Sequence, residues 1–576
     1  MIKLVKYLKP FLFGVLLAVV LLFGQAVCDL TLPNYMSEIV NIGIQQKQPS
    51  YIVRTGGIML MIALAGGAAT VLVGFISARI ATGVARNIRW DIFAKVGSFS
   101  HNEFDRFSTA SLITRCTNDV TQIQMLLMIG LRMLCYAPIM GVGGVIMAVN
   151  KSASMSWIIA AAVIVLLGLT VVFMTAAIPK FKLIQKLVDR LNLVSRENLS
   201  GMMVIRAFGT QKHETARFDN ANRDLTDTHL FVNRVMAAVF PLMMLVMNGV
   251  SLLVIWVGAH KVADSAIQVG DMMAFMQYAM LIIMSFLFIS MMFVFVPRAA
   301  VSAERIEEVL SVEISIKDPE NPRSFDANLK GTVEFRSVRF RYHGAEKDAL
   351  RDITFTAKPG EMTAIIGSTG AGKTTIANLI MRFYDVSAGQ VLVSGLDVHE
   401  ATQSELRDKI GYVPQKDVLL TGTVASNVKY GCANASDDEV ESAVRVAQAR
   451  DFIDEMPGRF ASEIAQGGAN ISGGQKQRLS IARALTKNPE ILIFDDSFSA
   501  LDFKTDAELR CALREYAAAA TVIVVAQRVG TVMNAEQIIV LNEGGIVGKG
   551  THSELLKTCP EYLEIATSQL TEEELA

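Results

Sequence analysis

The sequence predicts an α-helical domain of six membrane spans, followed by an α/β domain built on a phosphate-binding loop. Three observations carry that prediction. Several apolar runs before Val301 reach the roughly 20 residues that cross a bilayer as a helix. Lys and Arg gather in alternate connections between those runs. After Val301 the pattern changes to short apolar strands, glycine-rich turns and amphipathic helices, including a strand, glycine loop and helix start at Met362–Thr375.

A chain of 576 residues is too long for one domain. We read residues 1–310 as the membrane domain, 311–330 as a linker and 331–576 as the soluble domain. The formal net charge of −1 gives no support for a nucleic-acid partner. Cys28, Cys116, Cys135, Cys432, Cys511 and Cys559 show no CxxC or Cys/His spacing, which argues against a disulfide framework or a zinc site.

The N-terminal apolar run is too long for a signal peptide, and no small-residue cleavage site closes it. Lys3 to Lys9 reads as an amphipathic elbow, with Pro10 in the turn before the first span. The six spans fall at about 11–32, 56–78, 131–150, 155–178, 235–259 and 270–296. The loops Asn41–Thr55, Asn150–Ser154 and His260–Val269 are short. Arg79–Gly130 and Lys180–Arg234 are long and carry Arg79, Arg86, Arg89, Lys95, Lys180, Lys182, Lys186 and Arg190. Basic loops stay in the cytoplasm, so both termini are expected there. Each long loop reads as a helical hairpin that continues a membrane helix outward, with breaks near Ser98–Ser108 and Val204–Thr210.

Asp29 and Arg132 are ionisable groups inside apolar spans, a costly placement that points Asp29 to the bundle interior or an aqueous cavity. The last two spans are rich in Met, among them Met243, Met244, Met272, Met276 and Met284. Flexible thioethers suit an adaptable apolar pocket and equally suit helix packing or lipid contact. Pro319, Asn321 and Pro322 mark the linker.

In the soluble half, Val333–Tyr342 alternates as a strand. Gly367, Ser368, Thr369, Gly370, Ala371, Gly372, Lys373, Thr374 and Thr375 satisfy the phosphate-loop pattern in its strand–loop–helix context. Glycines let the backbone curl so that amides point at phosphate, at a helix N-terminus. Lys373 neutralises the β- and γ-phosphates, and Thr374 offers a hydroxyl to Mg²⁺. ATP and Mg²⁺ are therefore the expected ligands. Downstream lie ISGGQ at Ile471–Gln475, then KQRLSIARAL, and the run ILIFDDSFSALD at Ile491–Asp502.

Together these motifs resemble the nucleotide-binding domain of ABC transporters. The helical half resembles the membrane domain of ABC exporters, with SFSHNEFDRFSTASLITRCTNDV and ENLSGMMVIRAFG similar to its coupling-helix regions. The resemblance covers essentially the whole chain and implies a half-transporter. It implies that Tyr342 stacks on adenine and that Gln415 contacts Mg²⁺ or water and senses the γ-phosphate. It implies that Asp495 holds Mg²⁺ with Thr374 and Gln415. Ser499, Ala500, Leu501 and Asp502 match the loop that crosses to a partner domain. Ser472, Gly473, Gly474 and Gln475 match the signature that binds ATP held by the opposite subunit, so a dimer follows from the resemblance.

Two positions depart from the family's catalytic pattern. Asp496 stands where the family has a Glu that polarises the attacking water, and Gln527 where it has a His that contacts the γ-phosphate. A third departure, Gln466, Gly467 and Gly468 in place of the usual Glu-Arg-Gly, bears on cross-talk with the coupling helices. With the signature intact, the combination resembles the degenerate-site subunit of bacterial heterodimeric multidrug exporters. The expected function is a plasma-membrane exporter subunit for lipophilic or drug-like small molecules. Its ATP site is expected to be impaired, and its signature to serve a partner half-transporter. A homodimeric exporter, an exporter-fold importer of metal chelates and an ATP-gated regulator or channel are the alternatives.

Overall fold

The computed structural model describes residues 2–326, 329–498, 501–516, 518 and 520–570. Its residues form two compact units that do not follow chain order. One comprises Met1–Gly97 and Thr109–Val312, and the other Ser98–Ser108 and Glu313–Ala576.

The first unit is helical: α1 (Leu12–Glu38), α2 (Pro49–Gly97), α4 (Thr109–Thr114), α5 (Val120–Lys151), α6 (Ser156–Ser200), α7 (Met202–Ala207), α8 (Gln211–Ala263) and α9 (Val269–Leu310). Helix α3 (His101–Arg106) belongs to the second unit. Among the described residues, six helical stretches are long and apolar enough to cross a membrane. They run well beyond the apolar cores read from sequence: α2 alone has 49 residues, about 73 Å at the α-helical rise. The two long loops are thus helical extensions with short breaks, at 98–108 and 201–210. Pro10 lies inside the 3₁₀ helix Ile2–Phe11, which runs directly into α1, so the elbow and its turn are one continuous helical entry.

Polar contacts pin these helices at three levels. Near the α1 C-terminal end, Asp271 pairs with Lys151 at 3.0 Å and accepts from Ser37 at 2.9 Å, while Asn41 accepts from the Gly270 amide at 2.8 Å. In mid-span, Asp29 is half-buried and accepts from the Tyr136 hydroxyl at 2.5 Å, which joins α1 to α5 in the bundle interior. At the opposite end, Arg115 pairs with Glu308 at 2.8 Å and Asp119 accepts from Ser302 at 2.7 Å.

The second unit holds two larger sheets. The antiparallel sheet has the order β2-β1-β4-β5, from β1 (Val333–Phe340), β2 (Leu350–Ala357), β4 (Ala388–Val393) and β5 (Leu396–Asp397). The mixed sheet has the order β12-β11-β3-β10-β9-β6, from β3 (Met362–Gly367), β6 (Ile410–Val413), β9 (Ile491–Asp495), β10 (Thr521–Val525), β11 (Gln537–Asn542) and β12 (Gly545–Gly550). Its five parallel neighbours are near-continuous apolar runs, as strands covered on both faces must be. Short β7 (Gly422–Thr423) pairs with β8 (Glu463–Ile464).

Helices α10 (Lys373–Ile380), α11 (Gln403–Asp408), α12 (Val424–Val428), α13 (Asp437–Val446), α14 (Arg450–Glu455) and α15 (Gly473–Leu485) lie between the strands. They are followed by α16 (Phe503–Tyr516), α17 (Val529–Val532), α18 (His552–Thr558) and α19 (Pro560–Thr567). One core packs α12–α15 and α19 onto the mixed sheet through Phe452, Leu479, Phe494 and Tyr562. The other joins both sheets around α10 through Phe335, Phe355, Ile376 and Ile493.

Candidate functional site

The parallel register brings three strand ends side by side. Asp495, the last residue of β9, pairs with Val525 at the end of β10, and Val525 pairs with Ile365 of β3. The loop after β3, the two acids after β9 and Gln527 after β10 therefore meet at the carboxyl edge of the sheet, where open α/β sheets bind ligands.

The loop from Gly367 to Gly372 curls onto the N-terminus of α10. Gly372 has φ +96°, and a Cβ there would lie 2.7 Å from the Leu350 side chain and 2.8 Å from the Ala349 carbonyl, so only glycine fits this step. Lys373 is buried, and its Nζ donates to the carbonyls of Gly367 and Ser368, both at 2.8 Å. Burial draws its pKa down, while Asp496 and Asp495 oppose that shift. A cation held against its own loop, beside free helix-terminal amides, is a ready anion site.

Thr374 donates to Asp495 Oδ1 at 3.0 Å. Asp495 is only 1 % exposed, and its Oδ2 is buried without a hydrogen bond of ordinary geometry, although the Tyr412 hydroxyl stands nearby. Burial raises the Asp495 pKa despite the Thr374 bond, and the Asp496 charge adds to the rise. A buried carboxylate with one oxygen open, next to a threonine hydroxyl, fits a hard divalent cation whose shell is completed by phosphate and water. No group of three or more His, Cys, Asp or Glu that could hold a metal ion gathers among the described residues, so a cation at Asp495 would need further ligands from outside this cluster. Thr374 and Asp495 are the residues that would hold it, with Gln415 at the rim.

Asp496 adopts a left-handed backbone, φ +51°, uncommon for a residue with a Cβ. Its amide donates to Val525 O at 2.9 Å. Its Oδ2 accepts from Gln527 Nε2 at 2.9 Å and lies 3.4 Å from Gln415 Nε2. The two residues that depart from the family's catalytic pattern are thus bonded to each other. Tyr342 bonds Thr375 through their hydroxyls at 2.9 Å and meets Phe340 and Tyr384 edge-on.

The signature residues form a separate, solvent-facing feature. Ser472 caps α15 in a reciprocal box: it accepts from the Gln475 amide at 3.3 Å, and Gln475 accepts from the Ser472 amide at 2.9 Å. Ser472 and Gly473 are exposed, and no hydrogen bond joins them to the phosphate loop among the described residues. Ser499 and Ala500 lie outside the described residues. Leu501 is buried, and Asp502 accepts from the Thr505 amide at 3.0 Å, a bond that lowers its pKa.

Sequence reasoning missed Tyr412 beside Asp495, and it missed the aromatic seat of α3. His101 stacks on Phe383 at 4.6 Å, and the Tyr384 hydroxyl donates to Asp105 at 3.4 Å. Tyr384 also touches Tyr342, so α3 is two side chains from the phosphate loop. Tyr412 follows the alternation of IGYV, a usable signal. The seat of α3 has no local signal, since its two sides are far apart in the chain.

Comparison with known proteins agrees with this architecture. The family model described as the ABC transporter transmembrane region matches residues 15–286, and the one described as ABC transporter matches residues 350–499. An uncharacterized ABC transporter ATP-binding protein of Mycobacterium tuberculosis is 39% identical over 567 residues, 98% of this chain and 97% of that protein. An ATP-dependent lipid A-core flippase of Pseudomonas aeruginosa is 32% identical over 525 residues, 90% of this chain and 85% of that protein. The structure of a bacterial Atm1-family ABC exporter with ATP bound superposes with a TM-score of 0.81 at 25% identity, covering 98% and 99% of the two chains.

Proposed function

We propose that this chain, which belongs to the ABC transporter family, is one of two unlike half-transporters of an ATP-driven exporter, and that its own site holds Mg-ATP but hydrolyses it slowly. The observation that carries this reading is the 2.9 Å bond from Gln527 to Asp496. A general base needs a free lone pair aimed at the attacking water. Asp496 Oδ2 is instead engaged by amide donors, on a side chain one methylene shorter than Glu. Displacing a catalytic group by about 1 Å costs on the order of 100-fold. The carboxamide of Gln527 does not titrate, so it cannot relay a proton as a His can.

The contacts of the residues assigned to binding support this reading by contrast: Lys373 bonds the loop carbonyls, Thr374 bonds Asp495, and Tyr342 bonds Thr375. The exposed cap at Ser472–Gln475 suits an amide site for ATP held by a partner. Exposed Met203, Val204 and Phe208 at the second helical break give an apolar tip that a subunit contact would cover. Basic inner loops support a bacterial plasma membrane protein with both termini cytoplasmic. The substrate class is a lipophilic or drug-like small molecule, and the flippase relatives extend the search to lipid-like amphiphiles.

The deciding experiment compares ATPase of the purified chain alone with that of the chain co-expressed with a second half-transporter. The pair should exceed the single chain by about 100-fold. Robust turnover by the single chain defeats the asymmetric pair and favours a homodimer.

A further inference from the structure

The loop that carries Gln527 is held from outside the sheet. Gln569, just past α19, places its side chain across the loop. Its Oε1 accepts from the Val529 amide at 2.8 Å, and its Nε2 donates to the Gln527 carbonyl at 2.9 Å. Val529 is the first residue of α17, so Gln569 satisfies a helix-terminal amide that its own helix cannot. The next turn of the loop is held by α16: Arg510 donates to the Gly530 carbonyl at 2.5 Å while pairing with Asp506 at 3.0 Å. The anchor of Gln569 is itself fixed. Tyr562 and Ala566 of α19 are buried, Ile565 and Leu570 pack on the same core, and Tyr562 bonds His552 at 2.7 Å.

We propose that Gln569 is a positioning residue for the nucleotide site: it fixes the backbone on both sides of Arg528, so that the Gln527 side chain stays on Asp496 and this chain retains its nucleotide. The C-terminal segment thereby sets the lifetime of ATP on this subunit. The proposal rests on reading Gln527 as the residue that faces the γ-phosphate. Both bonds of Gln569 go to main-chain atoms, so its role depends on a primary carboxamide that donates and accepts at once. Glu keeps only the acceptor, and Ala keeps neither.

The experiment is a double-mutant cycle on the full-length transporter. It measures the release rate of Mg²⁺-bound mant-ATP from the site of this chain, with thermal stability as the control. Gln569→Ala should speed release about fivefold, the scale of one or two lost neutral hydrogen bonds, and Gln569→Glu at least as much, since it sets a carboxylate oxygen against the Gln527 carbonyl. Gln527→Ala should speed release too, and adding Gln569→Ala to it should change nothing further. Unchanged release in Gln569→Ala alongside faster release in Gln527→Ala overturns the clamp and leaves the reading of Gln527 standing. Additive effects overturn it as well, since Gln569 then acts through something other than Gln527. Unchanged release in Gln527→Ala defeats the reading of Gln527 and takes the proposal with it. A fall in thermal stability that accounts for the faster release of Gln569→Ala, with release unchanged in Gln569→Glu, assigns Gln569 to folding only and overturns the proposal.

Discussion

Gln527 donates to Asp496 Oδ2 at 2.9 Å, so the amide and the shortened acid act as one unit at the end of the parallel sheet. Restoring the family residues therefore has to be done jointly. Asp496→Glu with Gln527→His should raise the hydrolysis rate at this site by about 100-fold, within the range of general-base contributions. Asp496→Glu alone should give far less, because Gln527 still occupies the carboxylate. Single-turnover hydrolysis by the two variants and the wild type checks this, and equal gains from the single and double changes count against the coupling.

The complementary expectation concerns the assembled transporter. Asp496→Asn should change its steady-state ATPase by less than about threefold, whereas removing the matching carboxylate of a competent partner site should cost about 100-fold or more. Equal losses from the two substitutions contradict a division of labour between the sites.

Asp495 gives a pH-dependent test. Burial raises its folded pKa above the ordinary carboxylate value. The folded state then binds its proton more tightly than the unfolded chain, so this group favours folding at low pH and loses that contribution as pH rises through the raised pKa. Above that raised pKa the charged, half-satisfied carboxylate is a net strain on the ligand-free protein. Asp495→Asn should raise the ligand-free Tm by about 2–4 °C at pH 8, the shift expected for a gain near 1 kcal/mol in a domain of this size. It should also remove most of the Tm increase caused by Mg-ATP. Thermal unfolding with and without nucleotide reads both effects, and a stabilising Mg-ATP response that survives the substitution removes Asp495 from the Mg²⁺ shell.

Tyr342 separates ring from hydroxyl. Tyr342→Phe loses only the 2.9 Å bond to Thr375 and should weaken ATP binding by less than about threefold. Tyr342→Ala also loses the aromatic face and should weaken it by about tenfold, the scale of one base–aromatic contact. Nucleotide titration of the two variants distinguishes a stacking residue from a packing one, for which both changes would act through stability alone.

The seat of α3 predicts an uncoupled variant. His101→Ala removes the ring stacked on Phe383 at 4.6 Å. It should reduce substrate stimulation of ATPase by about fivefold, as expected when a stacked pair of roughly 1 kcal/mol is lost. Basal turnover should stay within about twofold, since His101 touches no phosphate-site residue. A parallel fall in basal and stimulated rates would show that α3 supports folding and not transmission.

What was legible beforehand depended on how local the physics is. Spans follow from continuous apolar runs. The phosphate loop follows from glycines whose conformation the turn demands, and the cap at Ser472–Gln475 follows from residues three apart. All three are short-range constraints. The seating of His101 on Phe383, Tyr412 beside Asp495 and the Gln569 clamp unite residues with no sequence rule between them. The helix extensions were legible in kind but not in length, because polar faces hide where a membrane helix stops. The Asp496–Gln527 bond lies between these cases: both residues stood out as departures, but only the register of β9 on β10 brings them into contact.

The eleven residues Ser98–Ser108, numbered within the first half of the chain, fold with the second. That has a consequence for biosynthesis. Asp105 leaves the ribosome 279 residues before Tyr384, its hydrogen-bond partner. At roughly 5–20 residues per second, the helix waits on the order of tens of seconds beside the membrane for its seat to be made. The soluble half, for its part, completes its aromatic surface only by accepting a piece delivered earlier by the membrane half. Folding of the second unit thereby draws on a segment made long before the rest of it, and a chain in which α3 misses its seat leaves Phe383 and Tyr384 without His101 and Asp105.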